Sequence, residues 1–90
     1  MSWSYDPALV EVALNWVRLR VGDTNTSDQQ LSDEEINSFI ALSGGDRKAA
    51  AVAAARAISA KFTRFGEQVE AENFRRLAEE IASEGAPSYL

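Results

Sequence analysis

The fold is decided by residues 46–65, DRKAAAVAAARAISAKFTRF. Alanine has the best intrinsic helix propensity, so this stretch is expected to be helical with little help from its neighbours. Within it Ala51, Ala55, Ile58, Phe62 and Phe65 recur at steps of four and three, which sets them in one narrow stripe along a helix face. The alanines let a partner helix approach closely, and the two phenylalanines fill the wider gap at the other end. The stretch reads as a central packing helix, and it contains no catalytic chemistry.

On its N-terminal side, Asp46 is the expected cap of this helix. Ser43, Gly44 and Gly45 stop a shorter one before it, with Gly44 as the left-handed residue. The shorter helix opens in LSDEEI, residues 31–36. Ser32 and Glu35 have the spacing of a capping box, in which each side chain satisfies the other's free backbone N–H, and Leu31 and Ile36 have that of a hydrophobic staple. Asp33 and Glu34 fall in the first turn, where the helix dipole favours acids. Ile36, Phe39 and Ile40 face inward.

Earlier still, the polar loop GDTNTSDQQ begins at Gly22, which ends the first helix. That helix is expected to start at Asp6 and Pro7 and to run unbroken to about Val21. Val10, Ala13, Leu14, Val17 and Val21 make its apolar stripe, widened by Leu9, Val12, Trp16 and Leu19. Glu11, Asn15 and Arg18 mark its narrow wet face. Trp3 and Tyr5 are expected to fold back over the end of the core.

Beyond Phe65 two readings stay open. Val69 continues the central stripe, so the helix could pass through Gly66 at a cost of about 1 kcal/mol relative to alanine. Phe74, Leu77 and Ile81 lie on a face turned by roughly a third of a revolution, which argues for an end or kink within residues 66–73. Glu72 with Arg76 and Arg75 with Glu79 are spaced to pair along a helix. Gly85 and Pro87 end it. The expectation is an all-α fold: a small bundle of three to four helices over residues 1–85, followed by a C-terminal tail, residues 86–90.

Composition narrows the function. The chain has 90 residues, a net charge of -5, no cysteine and no histidine. Disulfides, thiolate metal sites and thiol or histidine-assisted nucleophiles are therefore excluded. Gly44 and Gly45 form a helix stop and not a phosphate loop, so neither an enzyme nor a cofactor is expected. No apolar run approaches the ~20 residues of a membrane span, and the opening residues lack the pattern of a secretory leader. A soluble intracellular protein with no membrane partner is the expectation.

Charge is segregated along the chain. Asp23, Asp28, Asp33, Glu34 and Glu35 lie in one stretch without a basic residue, whereas Arg47, Lys48, Arg56, Lys61 and Arg64 face only Asp46 in the next. The basic residues spread widely around the helix, which with the acidic balance argues against phosphate recognition and specific nucleic-acid binding. Asp23, Asn25, Ser27 and Glu34 also fall at the first, third, fifth and twelfth positions of a calcium loop. Asp28 stands where that loop needs glycine, however, and Gln30 where it needs an apolar residue. The capping box already accounts for the acids around Glu34, so no metal is expected.

The order VRLRVGDT, a polar loop, LSDEEINSFIALSGGD and an alanine-rich helix ending AKFTRF resembles the small head-tail connector, or head completion, proteins of tailed bacteriophages and prophages. The resemblance covers roughly residues 9–83 and rests on Gly22, Asp23, Thr24, Leu31 to Ile36, Gly44, Gly45 and the alanine helix. It implies an all-helical virion protein, made in the bacterial cytoplasm, that sits at the head-tail interface as a ring of about twelve copies. Its implied partners are the portal protein, neighbouring copies of itself and a tail or stopper protein. Many relatives have a longer segment after the position of Phe65, which this chain shortens.

On this reading the ring interface is expected between Arg56 and Arg64 of one subunit and Asp23, Asp28, Asp33 and Glu34 of its neighbour. Portal contact is expected from Phe74, Arg75, Pro87, Tyr89 and Leu90. From another class, the alternative is a small helical interaction or regulatory module with a single protein partner.

Overall fold

The computed structural model describes residues 2–84 and is all-α: a 3₁₀ turn at Pro7–Leu9, then α1 (Ala13–Val21), α2 (Asp33–Leu42), α3 (Arg47–Arg64) and α4 (Gln68–Ser83). The punctuation follows the sequence at most boundaries. Ser32 and Glu35 form the reciprocal capping box, with Glu35 N–H donating to Ser32 Oγ at 3.1 Å and Ser32 N–H to Glu35 Oε1 at 2.9 Å. Leu31 and Ile36 on either side are buried. Asp46 accepts from the amides of Lys48 and Ala49, which fixes the start of α3.

Gly66 resolves the open question after Phe65. It adopts φ +76°, and the Glu67 amide returns to the Phe62 carbonyl at 2.9 Å, closing α3 with a left-handed cap. A β-carbon disfavours that conformation, so the glycine sets the break. Two helices result, and they run antiparallel: Phe62 stacks on Phe74, Ser59 Oγ donates to the Ala71 carbonyl, and Ala49 and Val52 lie near Ala82. The core is formed by Val17, Val21, Leu31 and Ile36 around the buried alanines of α3 and Ile58, closed on the other side by Ala78 and Ile81. Small side chains on α3 let the other helices approach closely, as the alanine stripe requires.

Several expectations fail, each for an identifiable reason. The first helix is not continuous. The buried amide of Asn15 accepts from the Asp6 N–H at 3.0 Å and donates to the Leu9 carbonyl at 3.1 Å, holding a separate turn, and Val12 is extended (ψ 127°) before α1 begins. Asn15 and Arg18, assigned to a wet face, are both buried. Leu9, Val12 and Leu19, assigned to a thickened core stripe, are about half exposed. Phe65 caps α3 and points away from the stripe that holds Ala51, Ala55 and Ile58. On α4 the arginine Arg75 pairs with Glu72 and not with Glu79.

Candidate functional site

Arg18 organises the end of the molecule formed by α1, the loop 22–31 and the start of α2. Its side chain is fully buried. The cost of removing a guanidinium from water is met by four hydrogen bonds: Nε–H to the Ser4 carbonyl (2.6 Å), Nη1 to Asp23 Oδ2 (2.5 Å) and the Leu31 carbonyl (2.9 Å), and Nη2 to Asp33 Oδ1 (2.7 Å). Asp23 is buried with it and accepts three further bonds, from Trp3 Nε1 and the amides of Gln30 and Leu31. The Trp3 ring lies under the guanidinium, 4.6 Å from centroid to Cζ. Among the described residues no buried side-chain nitrogen or oxygen lacks a partner.

The segment Ser2–Tyr5 is strapped over this cluster. Ser4 donates to Asp33 through its amide (2.9 Å) and hydroxyl (2.8 Å), Ser2 donates to Glu34 through the same two groups, and the Asp33 amide donates to the Ser2 carbonyl. Trp3 thus folds back as the sequence suggests, but onto an ion pair. Burial pushes the Asp33 carboxyl up, and the hydrogen bonds from Arg18 and Ser4 outweigh it, so it titrates below the ordinary aspartate range. The Ser2 hydroxyl and amide hold Glu34 below the ordinary glutamate range.

This cluster is an architectural clamp, and it engages three of the four acids expected at the ring interface within the chain itself. Asp23 is shut away from any neighbour, Asp33 is held by Arg18 and Ser4, and Glu34 by Ser2. Asp28 is exposed and accepts from the Gln30 side chain. Arg56 and Arg64 are exposed on α3. Gly22 (φ +78°) and Gly44 (φ +65°) carry the left-handed caps. Phe74, expected at the portal, is half-buried in the stack on Phe62, whereas Arg75 is exposed. Pro87, Tyr89 and Leu90 lie outside the described residues. The calcium pattern is broken at its first position, because the Asp23 oxygens all face donors of this chain. No group of three metal-capable side chains occurs among the described residues, and no described helix is long and apolar enough to cross a membrane.

What sequence reasoning missed lies on the surface. Six of the seven large apolar residues exposed among the described residues fall in two parts of the chain. The first is Leu9, Val10, Val12 and Leu19 along α1 and the turn before it, with half-buried Trp16 at its centre and Arg47 stacked over the Trp16 ring at 4.7 Å. The second is Phe65 and Val69 at the turn between α3 and α4. The chain matches no protein-family model, no curated protein and no solved structure.

Proposed function

We propose that this chain is a structural subunit of a phage or prophage head-tail connector, assembling as a ring beneath the portal protein and presenting a platform to a tail or stopper protein. The single observation that carries the reading is the order of its punctuation: VRLRVGDT, polar loop, capping box, double-glycine stop and alanine helix. Two features of the molecule support it. The fold is all-helical, as the resemblance implies, and the domain leaves large apolar residues uncovered in two parts of the chain, as a subunit that completes its packing by assembly would. An acidic chain beside a DNA conduit also avoids gripping phosphate.

The test mixes the purified protein with tailless, DNA-filled heads of the phage that encodes it and images the portal vertex by electron microscopy. Ring density below the portal is expected. A bare vertex, with a one-to-one complex on some other protein, would replace the connector by a single-partner module.

A further inference from the structure

We propose that the segment Ser2–Tyr5 is a latch that opens about Asp6, and that opening the latch and releasing the loop 23–31 from α1 are one coupled event, transmitted by Arg18.

The arginine holds three segments at once. Its Nε donates to the strap at the Ser4 carbonyl, its Nη1 to the loop at Asp23 and Leu31, and its Nη2 to the start of α2 at Asp33. A guanidinium is a rigid planar fork. It cannot turn to follow one of these segments without pulling away from the others.

The strap also shares acceptors with the arginine and with the loop. Asp33 Oδ1 accepts from both the Ser4 amide (2.9 Å) and Arg18 Nη2 (2.7 Å). Asp23 Oδ1 accepts from both Trp3 Nε1 (3.3 Å) and the Gln30 amide (3.0 Å). Lifting the strap therefore takes donors from the two carboxylates that grip the fork, and it opens to water the guanidinium face that Trp3 covers. A buried charge pair depends on each of its hydrogen bonds more steeply than an exposed pair does. Loss of one segment thus loosens the hold on the rest.

Burial decides which segment moves first. Arg18 and Asp23 are buried, whereas every residue from Ser2 to Asp6 is exposed or half-buried. A segment that covers a buried pair while burying little of itself opens at low free energy. Its hinge is fixed, because the Asp6 amide donates to Asn15 Oδ1 and Pro7 begins the 3₁₀ turn. Across the cluster, residues 24–29 are all exposed, and Lys61 Nζ ties the loop to α3 through the Gln30 carbonyl at 3.0 Å. The alanine core between α3 and α4 receives no hydrogen bond from Arg18 and stays closed when the latch opens. Because coupling is reciprocal, a ligand that binds only the open strap frees the loop, and one that binds only the freed loop opens the strap.

Native-state hydrogen exchange on the full chain, read amide by amide by NMR, tests the coupling. The amides of residues 4 and 33 report the strap, since they donate to Asp33 and to the Ser2 carbonyl. Those of Gln30 and Leu31 report the loop, since both donate to Asp23. Ala55 and Ala78 report the core. Ser4→Ala removes a hydroxyl bond to Asp33 and none to the loop. It is expected to lower protection at all four reporters by the same factor, roughly tenfold for a bond to a charged acceptor, and to leave Ala55 and Ala78 unchanged. Lys61→Met removes the tie between loop and α3 and no hydrogen bond of the strap, and by reciprocity it should lower protection at residues 4 and 33 together with Gln30 and Leu31. In Ser4→Ala, a loss of protection confined to residues 4 and 33 would overturn the coupling. Unchanged protection at all four reporters would overturn the latch. An equal loss at Ala55 and Ala78 would overturn both, because the cluster would then open only with the whole fold.

Discussion

Arg18 and Asp23 are bonded to one another twice, through guanidinium and carboxylate at 2.5 Å and through the Asp23 amide and the Arg18 carbonyl at 3.0 Å. The backbone bond belongs to the left-handed cap at Gly22, which reverses the chain and brings residue 23 back over the last turn of α1. The helix stop therefore aims the carboxylate at the arginine, and the ion pair in turn holds the loop 23–31 against α1.

Removing Arg18 leaves Asp23 charged, buried and without a cation, and removing Asp23 leaves the buried Arg18 with Asp33 as its one remaining carboxylate. Asp23→Ala or Arg18→Ala is expected to destabilise the domain by about 3–5 kcal/mol, a large share of the stability of a small fold. The double variant should lose less than the sum of the two single losses, because their shared ion pair is removed only once. Urea titrations of the three variants measure this. Single losses under about 1 kcal/mol would mean that the pair is solvated.

Acid should release the N-terminal strap. Asp33 and Glu34 both have folded pKa values below their ordinary values of 3.8 and 4.5. Their contribution is thus fully present above those unfolded values and is lost as pH falls through the lower, folded ones. With Trp16→Phe as background, Trp3 fluorescence should be flat above about pH 5 and change below it, within the carboxylate range. Glu34→Gln should weaken the hold on Ser2 without removing the Asp33 step. A Trp3 signal constant down to global unfolding would show that the strap does not depend on these carboxylates.

What was legible in the sequence is what is local. The capping box at Ser32 and Glu35, the Asp46 cap, the left-handed glycines and the alanine helix each involve residues within one or two turns, where spacing alone fixes geometry. Arg18 was not legible, because a helical wheel sends any charged residue to solvent. Its partners at Ser4, Asp23, Leu31 and Asp33 meet only through the tertiary path. The Gly-Asp step after an arginine in the last helical turn is the one signal that points to it. Asn15 was misplaced for the same reason. Phe65 was drawn into the core by periodicity, and the turn at Gly66 ends the helix before that period can act.

Gly66→Ala tests the break between α3 and α4. No heavy atom lies within 4 Å of a β-carbon built there, so sterics with the rest of the protein contribute nothing and the backbone conformation carries the whole effect. At φ +76° the expected loss is about 1–2 kcal/mol, seen as a lower melting temperature with unchanged helical circular dichroism. A rise in helical signal with no loss of stability would mean that α3 and α4 fuse in the variant and that the hairpin is not required.

Phe74 and Phe65 should separate a packed ring from an exposed one. Phe74 stacks on Phe62 with ring centroids 5.5 Å apart and planes 11° from parallel, joining α3 to α4, so Phe74→Ala removes an aromatic contact and opens a cavity. A loss of about 3 kcal/mol is expected, the lower end for buried aromatics because the site is half-buried. Phe65→Ser removes a comparable ring from solvent and should change stability by no more than about 0.5 kcal/mol. A Phe65→Ser chain that is as unstable as Phe74→Ala would place Phe65 inside the fold.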